Sequence, residues 1–179
     1  MAKNKSGTGY VKSIAAVSMC TAFIVISSWI AIPFAVNFTL QTFAVFVICL
    51  LFDFKISFFS VVIYMMLGVI GVPVFSCFGA GISAVFGPTG GFLVSFLLFP
   101  IIINLFNFKS KFAFRILSMT VCMLLCYILG TLWYYFGYGG ESVFGILTVC
   151  VFPFIIPDII KIFLAAAVYS RLSKINLMK

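Results

Sequence analysis

The chain is a succession of apolar runs with almost no charge inside them, and this arrangement restricts its fold more than any motif does. The runs cover about Ser13 to Ile32, Phe38 to Phe52, Ile56 to Ile70, Gly90 to Phe106, Phe112 to Phe136 and Pro157 to Leu172. Hydrophobic residues fill 65% of the 179 positions and charged residues 8%. A soluble domain carries about 25% charged residues. A chain this short cannot hide so much apolar surface from water. A bilayer removes the conflict. One span takes about 20 apolar residues, so the length accommodates roughly six helices joined by short turns. The expectation is an all-α integral membrane protein: a six-transmembrane-helix bundle forming a single domain over residues 1–179.

Breakers set the boundaries. Pro33 ends the first helix. The second run is short, so its start is expected to be re-entrant or shielded by neighbours. Ser142 to Phe152 is apolar but too short to span, and Pro153 and Pro157 follow it. It reads as a short interfacial helix. The last helix is expected to begin near Pro157, because proline is tolerated in a first turn. The opening MAKNKSGTGYVK resembles the start of a signal peptide. The run behind it is longer than such a peptide needs and lacks an A-x-A site, so it reads as a retained first span.

Charge tests the topology. The sequence has eleven Lys and Arg against three acids, a formal net charge of +8. With the N-terminus inside and six spans, the inner segments hold Lys3, Lys5 and Lys12, then Lys55, then Lys109, Lys111 and Arg115, then Arg171, Lys174 and Lys179. The outer segments hold only Glu141, and Lys161 lies within the last helix. Five or seven spans would scatter the basic residues over both sides. The pattern therefore favours both termini in the cytoplasm. Basic residues that flank apolar runs form no stripe for a nucleic acid, and none is expected as a partner.

The residue inventory excludes most chemistry. There is no histidine, so no histidine relay or histidine-activated nucleophile is available. Asp53, Glu141 and Asp158 are too scattered for a carboxylate pair. GPTGG (Gly87 to Gly91) lacks the Gly-Lys-Ser/Thr ending of a phosphate loop. The six cysteines contain no CxxC pair, and all but Cys77 lie within or at the ends of apolar runs, so they read as small buried hydrophobes. No catalysis, metal or cofactor is expected.

What remains points to binding. Asp158 and Lys161 are three apart, share a helix face, and would be costly inside a span unless they face a cavity or each other. Their expected roles are hydrogen-bond acceptor and positive charge at the polar end of a solute pocket. In the six-span topology residues 71–91 face outside, Asp158 and Lys161 lie near that outer end, and Thr39 and Gln41 open the second helix there. Residues 71–91, GVPVFSCFGAGISAVFGPTGG, are long, glycine-rich and uncharged. Buried irregular backbone must line a polar cavity or be covered by protein. The segment therefore reads as a lid whose apolar members, Val72, Val74, Phe75, Phe78 and Phe86, cover a partly apolar ligand. Gly79, Gly87, Thr89 and Gly90 offer it close backbone. Ala15, Ser18 and Ala22 form a small-residue stripe on the first helix, suited to internal packing or to docking on another membrane protein.

Four stretches, IPFAVNFTLQTFAV, YMMLGVIGVPVF, GPTGGFLVSF and FPFIIPDIIKIFLAA, resemble the motifs of the BioY family, in order, from about Ile32 to Arg171. The chain departs from the family pattern at Pro157, where glycine is usual, at Phe92, where tyrosine is frequent, and at SCFGAG. The resemblance implies a six-helix S-component that binds biotin from outside, in a bacterial-type plasma membrane. It implies as partners a transmembrane coupling protein and two ATPases of an energy-coupling factor (ECF) transporter. It would make Ala15, Ser18 and Ala22 the docking face. Asp158, Lys161 and Gln41 would serve the ureido group or the carboxylate. Three rivals stay open: an S-component for another vitamin; a secondary transporter or channel, which predicts internal symmetry and coupling-ion groups not visible here; and a purely structural membrane subunit, which would bind no small molecule.

Overall fold

The computed structural model describes residues 5–33, 37–106, 112–138 and 142–173. Lys3, Lys109, Lys111, Glu141, Lys174 and Lys179, used above for topology, lie outside the described residues. The chain is mostly helical. Helix α1 (Lys5–Trp29) leads to a small antiparallel ribbon of β1 (Ala31–Ile32) and β2 (Phe38–Thr39), with Ala31 opposite Thr39. Then come α2 (Gln41–Leu51), α3 (Phe54–Ile70), α4 (Ile82–Val85), α5 (Gly90–Ser95), α6 (Phe99–Phe106), α7 (Phe112–Tyr138), α8 (Val143–Cys150) and α9 (Phe152–Leu172). Segments of α1, α7 and α9 are long and apolar enough to cross a membrane. Gln41–Leu51, Phe54–Ile70 and Gly90–Phe106 are shorter apolar helices.

Four boundaries differ from the sequence reading, each for a local reason. The first helix ends at Trp29, short of Pro33, because Ala31–Ile32 leave it to form strand β1. FTLQ does not open α2 as helix. Phe38 and Thr39, both strand formers, pair with β1, and Gln41 becomes the first helical residue. Gly90 to Phe106 is interrupted by a 3-10 turn at Phe96–Leu98, just before Pro100, which has no N–H to return to Phe96. The last helix starts at Phe152, because Pro153 takes the first-turn position and Pro157 lies inside the helix.

Helix α2 sits at the centre. Beyond Gln41 and Thr42 it is apolar all round, and nearly all of its residues are buried against α1, α3, α6 and α9. At 1.5 Å per residue it is about 16 Å long, roughly half a hydrocarbon core of about 30 Å. Its first residue therefore lies inside the bundle. Phe46 stacks on Phe99 at 5.2 Å, and Phe99 meets Phe96 edge-on at 5.3 Å.

Helices α1 and α3 run side by side in the same direction. Thr21 Oγ1 donates to Ser60 O at 3.2 Å, and Trp29 Nε1 donates to Pro73 O at 2.9 Å. The glycine-rich segment is pinned at both halves. Gly71, in the left-handed region at φ 109°, ends α3. Ser28 Oγ then donates to Val74 O, and the Phe75 ring lies on bare Gly68. Farther on, Trp133 Nε1 donates to Gly87 O at 3.1 Å, and Tyr138 Oη donates to Phe86 O at 2.7 Å.

Candidate functional site

Asp158 and Lys161 lie one turn apart on α9 and face inward. Lys161 Nζ donates to Asp158 Oδ1 at 2.8 Å, and the residues are 3% and 5% exposed. Tyr127 Oη, from α7, donates to Asp158 Oδ2 at 2.5 Å. The ammonium lies 4.1 Å from the centre of the Phe38 ring, and that ring stacks on Phe154 at 6.3 Å. A buried charge is stable when paired and hydrogen-bonded, and here both conditions are met. Each carboxylate oxygen keeps a lone pair, and the ammonium keeps donors beyond the one given to Asp158.

The pair forms part of the wall of a cavity with about 570 Å³ of atom-free space, part of it open to the outside. The polar wall is Asn37, Thr39, Gln41, Thr42, Ser76, Thr89, Tyr127, Asp158 and Lys161. The remainder is Phe92, Leu93, Phe96, Met123, Cys126, Cys150 and Phe154. Gln41 is 3% exposed, and its Nε2 has no hydrogen-bond partner among the described residues. Its backbone N–H donates to Thr39 Oγ1 at 3.3 Å. Asn37 Nδ2 donates to Ser76 Oγ at 3.0 Å, joining the ribbon to the glycine-rich segment at the cavity.

The structure thus brings together Asp158, Lys161, Gln41, Thr39 and Thr89. Phe75, Phe78, Gly79, Gly87 and Gly90 do not line the cavity. Phe75 is buried in the core and meets Tyr64 edge-on, because Gly68 leaves room for its ring. Phe78 is exposed and packs on Trp29 at 5.3 Å. Gly79 closes the turn by accepting from Phe75 N–H at 3.0 Å. Gly87 holds Trp133 through its carbonyl, and a side chain at Gly90 would overlap Val85 O. Val74 is likewise core, while Val72 and Phe86 are exposed. Of the segment, only Ser76 and Thr89 reach the cavity.

Beyond Asp158, Lys161, Gln41, Thr39 and Thr89, the cavity wall consists of residues that the sequence reading did not single out for binding, among them Asn37, Ser76, Tyr127 and Phe154. Tyr127 carried a weak signal: a phenol at mid-helix in an apolar run needs a partner. Ala15, Ser18 and Ala22 are all exposed, on the face of α1 turned away from buried Ala16, Cys20 and Ile24.

A model of the BioY family matches residues 1–177. The probable biotin transporter BioY of Pyrococcus horikoshii is 32% identical over 164 residues, 90% of this chain and 96% of that one. The biotin transporter BioY of Thermotoga maritima is 35% identical over 158 residues, 87% of this chain and 92% of that one. The biotin transporter BioY2 of Lactococcus lactis is 38% identical over 124 residues, 68% of each. Among solved structures, the S-component for biotin from an ECF-type ABC transporter superposes with a TM-score of 0.85. That match covers 97% of this chain and 95% of the other at 24% identity, a likeness of fold.

Proposed function

The chain belongs to the BioY family, and from that premise we propose that it is the biotin-binding S-component of an ECF transporter, taking the vitamin into the cavity between α2, α7 and α9. The observation that carries the assignment of the site is the unpartnered Nε2 of buried Gln41, a residue of the same cavity wall as the Asp158–Lys161 pair. A buried donor without a partner costs about 1–3 kcal/mol. A ligand oxygen repays that cost. A cyclic urea or a carboxylate offers such an oxygen. Asp158 accepts N–H groups, and Lys161 and Gln41 donate. The aromatic and aliphatic wall, Phe92, Phe96, Met123 and Phe154, suits a fused ring and an alkyl chain.

The same reading has six spans with both termini cytoplasmic and the cavity opening outward. Two relationships support it. Helices α2 and α9 pack together and both begin at the cavity; α2 leads down to Lys55 and α9 ends at Arg171. Arg115, at the start of α7, lies 4.6 Å over the Tyr169 ring near the end of α9. These basic residues therefore gather at the end opposite the cavity, as an inner face requires. Energy would come from a coupling protein and two ATPases, docked on the exposed Ala15, Ser18 and Ala22 face.

Calorimetry of the purified chain against biotin and a panel of other vitamins tests the reading. Binding of biotin alone is the expected result. Selective binding of another vitamin would reassign the ligand, and uptake by vesicles holding only this chain would replace the S-component reading with a secondary transporter.

A further inference from the structure

Behind the cavity lies a second recess. It is a groove between α7 and α9 with about 680 Å³ of atom-free space, and it includes Leu124, Ile155 and Ile159. These three side chains are exposed. Both flanking helices are long and apolar enough to cross a membrane. Tyr127, Asp158 and Met123 belong to the walls of groove and cavity alike. Groove and cavity therefore meet along these three shared side chains.

The polar groups of the groove are already engaged. Thr120 Oγ1 donates to Ile116 O at 2.9 Å. Tyr127 Oη donates to Asp158 Oδ2, and Asp158 Oδ1 accepts from Lys161. The exterior is thus offered apolar surface, with every side-chain hydroxyl and carboxylate on the wall holding an internal partner. Such a groove has little to offer a headgroup or a polar peptide and is complementary to hydrocarbon.

We infer that this groove takes a lipid acyl chain, and that Tyr127 is the partition between that chain and the ligand cavity. The ring closes the seam. The hydroxyl is a positioning group that fixes Asp158 toward the cavity. The partition role rests on reading the cavity as the biotin site; occupancy of the groove does not.

The test uses the full chain in vesicles containing a phospholipid with a diazirine in its acyl tail, with crosslinks mapped by mass spectrometry and no biotin present. In the parent, Leu124, Ile155 and Ile159 label more strongly than the lipid-exposed Leu117 and Phe163, and the cavity residues Phe92, Leu93 and Phe96 stay unlabelled. In Tyr127→Ala the label reaches Phe92, Leu93 and Phe96. Tyr127→Phe keeps the label confined to the groove, yet weakens biotin roughly tenfold through the lost bond to Asp158. Should Tyr127→Ala not fold, Tyr127→Leu replaces it with the same expectation. Groove labelling no stronger than at Leu117 and Phe163 overturns the acyl-chain site. An unchanged label pattern in the folded Tyr127→Ala or Tyr127→Leu chain overturns the partition. If biotin does not bind the parent while the labelling holds, the vitamin assignment fails and the groove stands.

Discussion

Lys161 Nζ lies 2.8 Å from Asp158 Oδ1, one helical turn away on α9, and both side chains are almost wholly buried. Removing one partner strands the other charge in an apolar surround, which costs about 3–5 kcal/mol, whereas replacing both by apolar groups is often neutral. Lys161→Met alone and Asp158→Leu alone should therefore lower thermal stability in detergent, and the double variant should recover most of it. None of the three should bind biotin at concentrations that saturate the parent. Retained binding in the double variant would exclude the pair from the site.

Gln41 should show the opposite balance. Its unpartnered Nε2 makes it a liability in the empty protein. Gln41→Leu should leave stability unchanged or raise it by about 1 kcal/mol, while biotin affinity falls roughly tenfold. Melting curves and calorimetry on the same preparation decide the matter. An affinity equal to the parent's would mean that this amide does not meet the ligand.

Gly68 tests how the glycine-rich segment is anchored. Alanine in a helix interior normally gains up to about 1 kcal/mol over glycine. Here a methyl group would overlap the Phe75 ring. Overpacking of this kind costs about 1–3 kcal/mol and should win. Gly68→Ala should be destabilised, and Phe75→Leu in the same chain should restore part of the loss. Equal melting temperatures for Gly68→Ala and the parent would contradict the packing.

The α1 stripe should separate binding from assembly. Ala15, Ser18 and Ala22 are exposed and remote from the cavity walls. Ser18→Leu should leave biotin affinity unchanged and reduce co-purification with a coupling protein and its ATPases. An assembly that forms as well as with the parent would move the docking face elsewhere.

Asp158 and Lys161 were legible in the sequence because a charge within an apolar run must be paired or face a cavity, and their spacing put them on one face. Thr39 and Gln41 stand before an apolar run in the sequence, and both line the cavity, Thr39 from the ribbon and Gln41 as the first residue of α2. Tyr127 and Phe154 were not found: an aromatic in an apolar run looks the same whether it faces a cavity, a neighbouring helix or lipid. Composition implies that the segment folds back but not onto what, so Phe75 and Phe78 are expected over a ligand, whereas Phe75 lies in the core and Phe78 is exposed.

The linear order of apolar runs, breakers and charges is enough to specify a lipid-embedded helical protein with a buried acid–base pair. These are properties of burial cost, which each residue carries wherever it sits. Which side chains face the cavity follows from packing in three dimensions. Bare Gly68 admits the Phe75 ring and draws that stretch into the core, and the short, encircled α2 carries Gln41 inward to meet α9. Such choices depend on which surfaces fit together in three dimensions, and side-chain shape across distant segments is not written in any one of them.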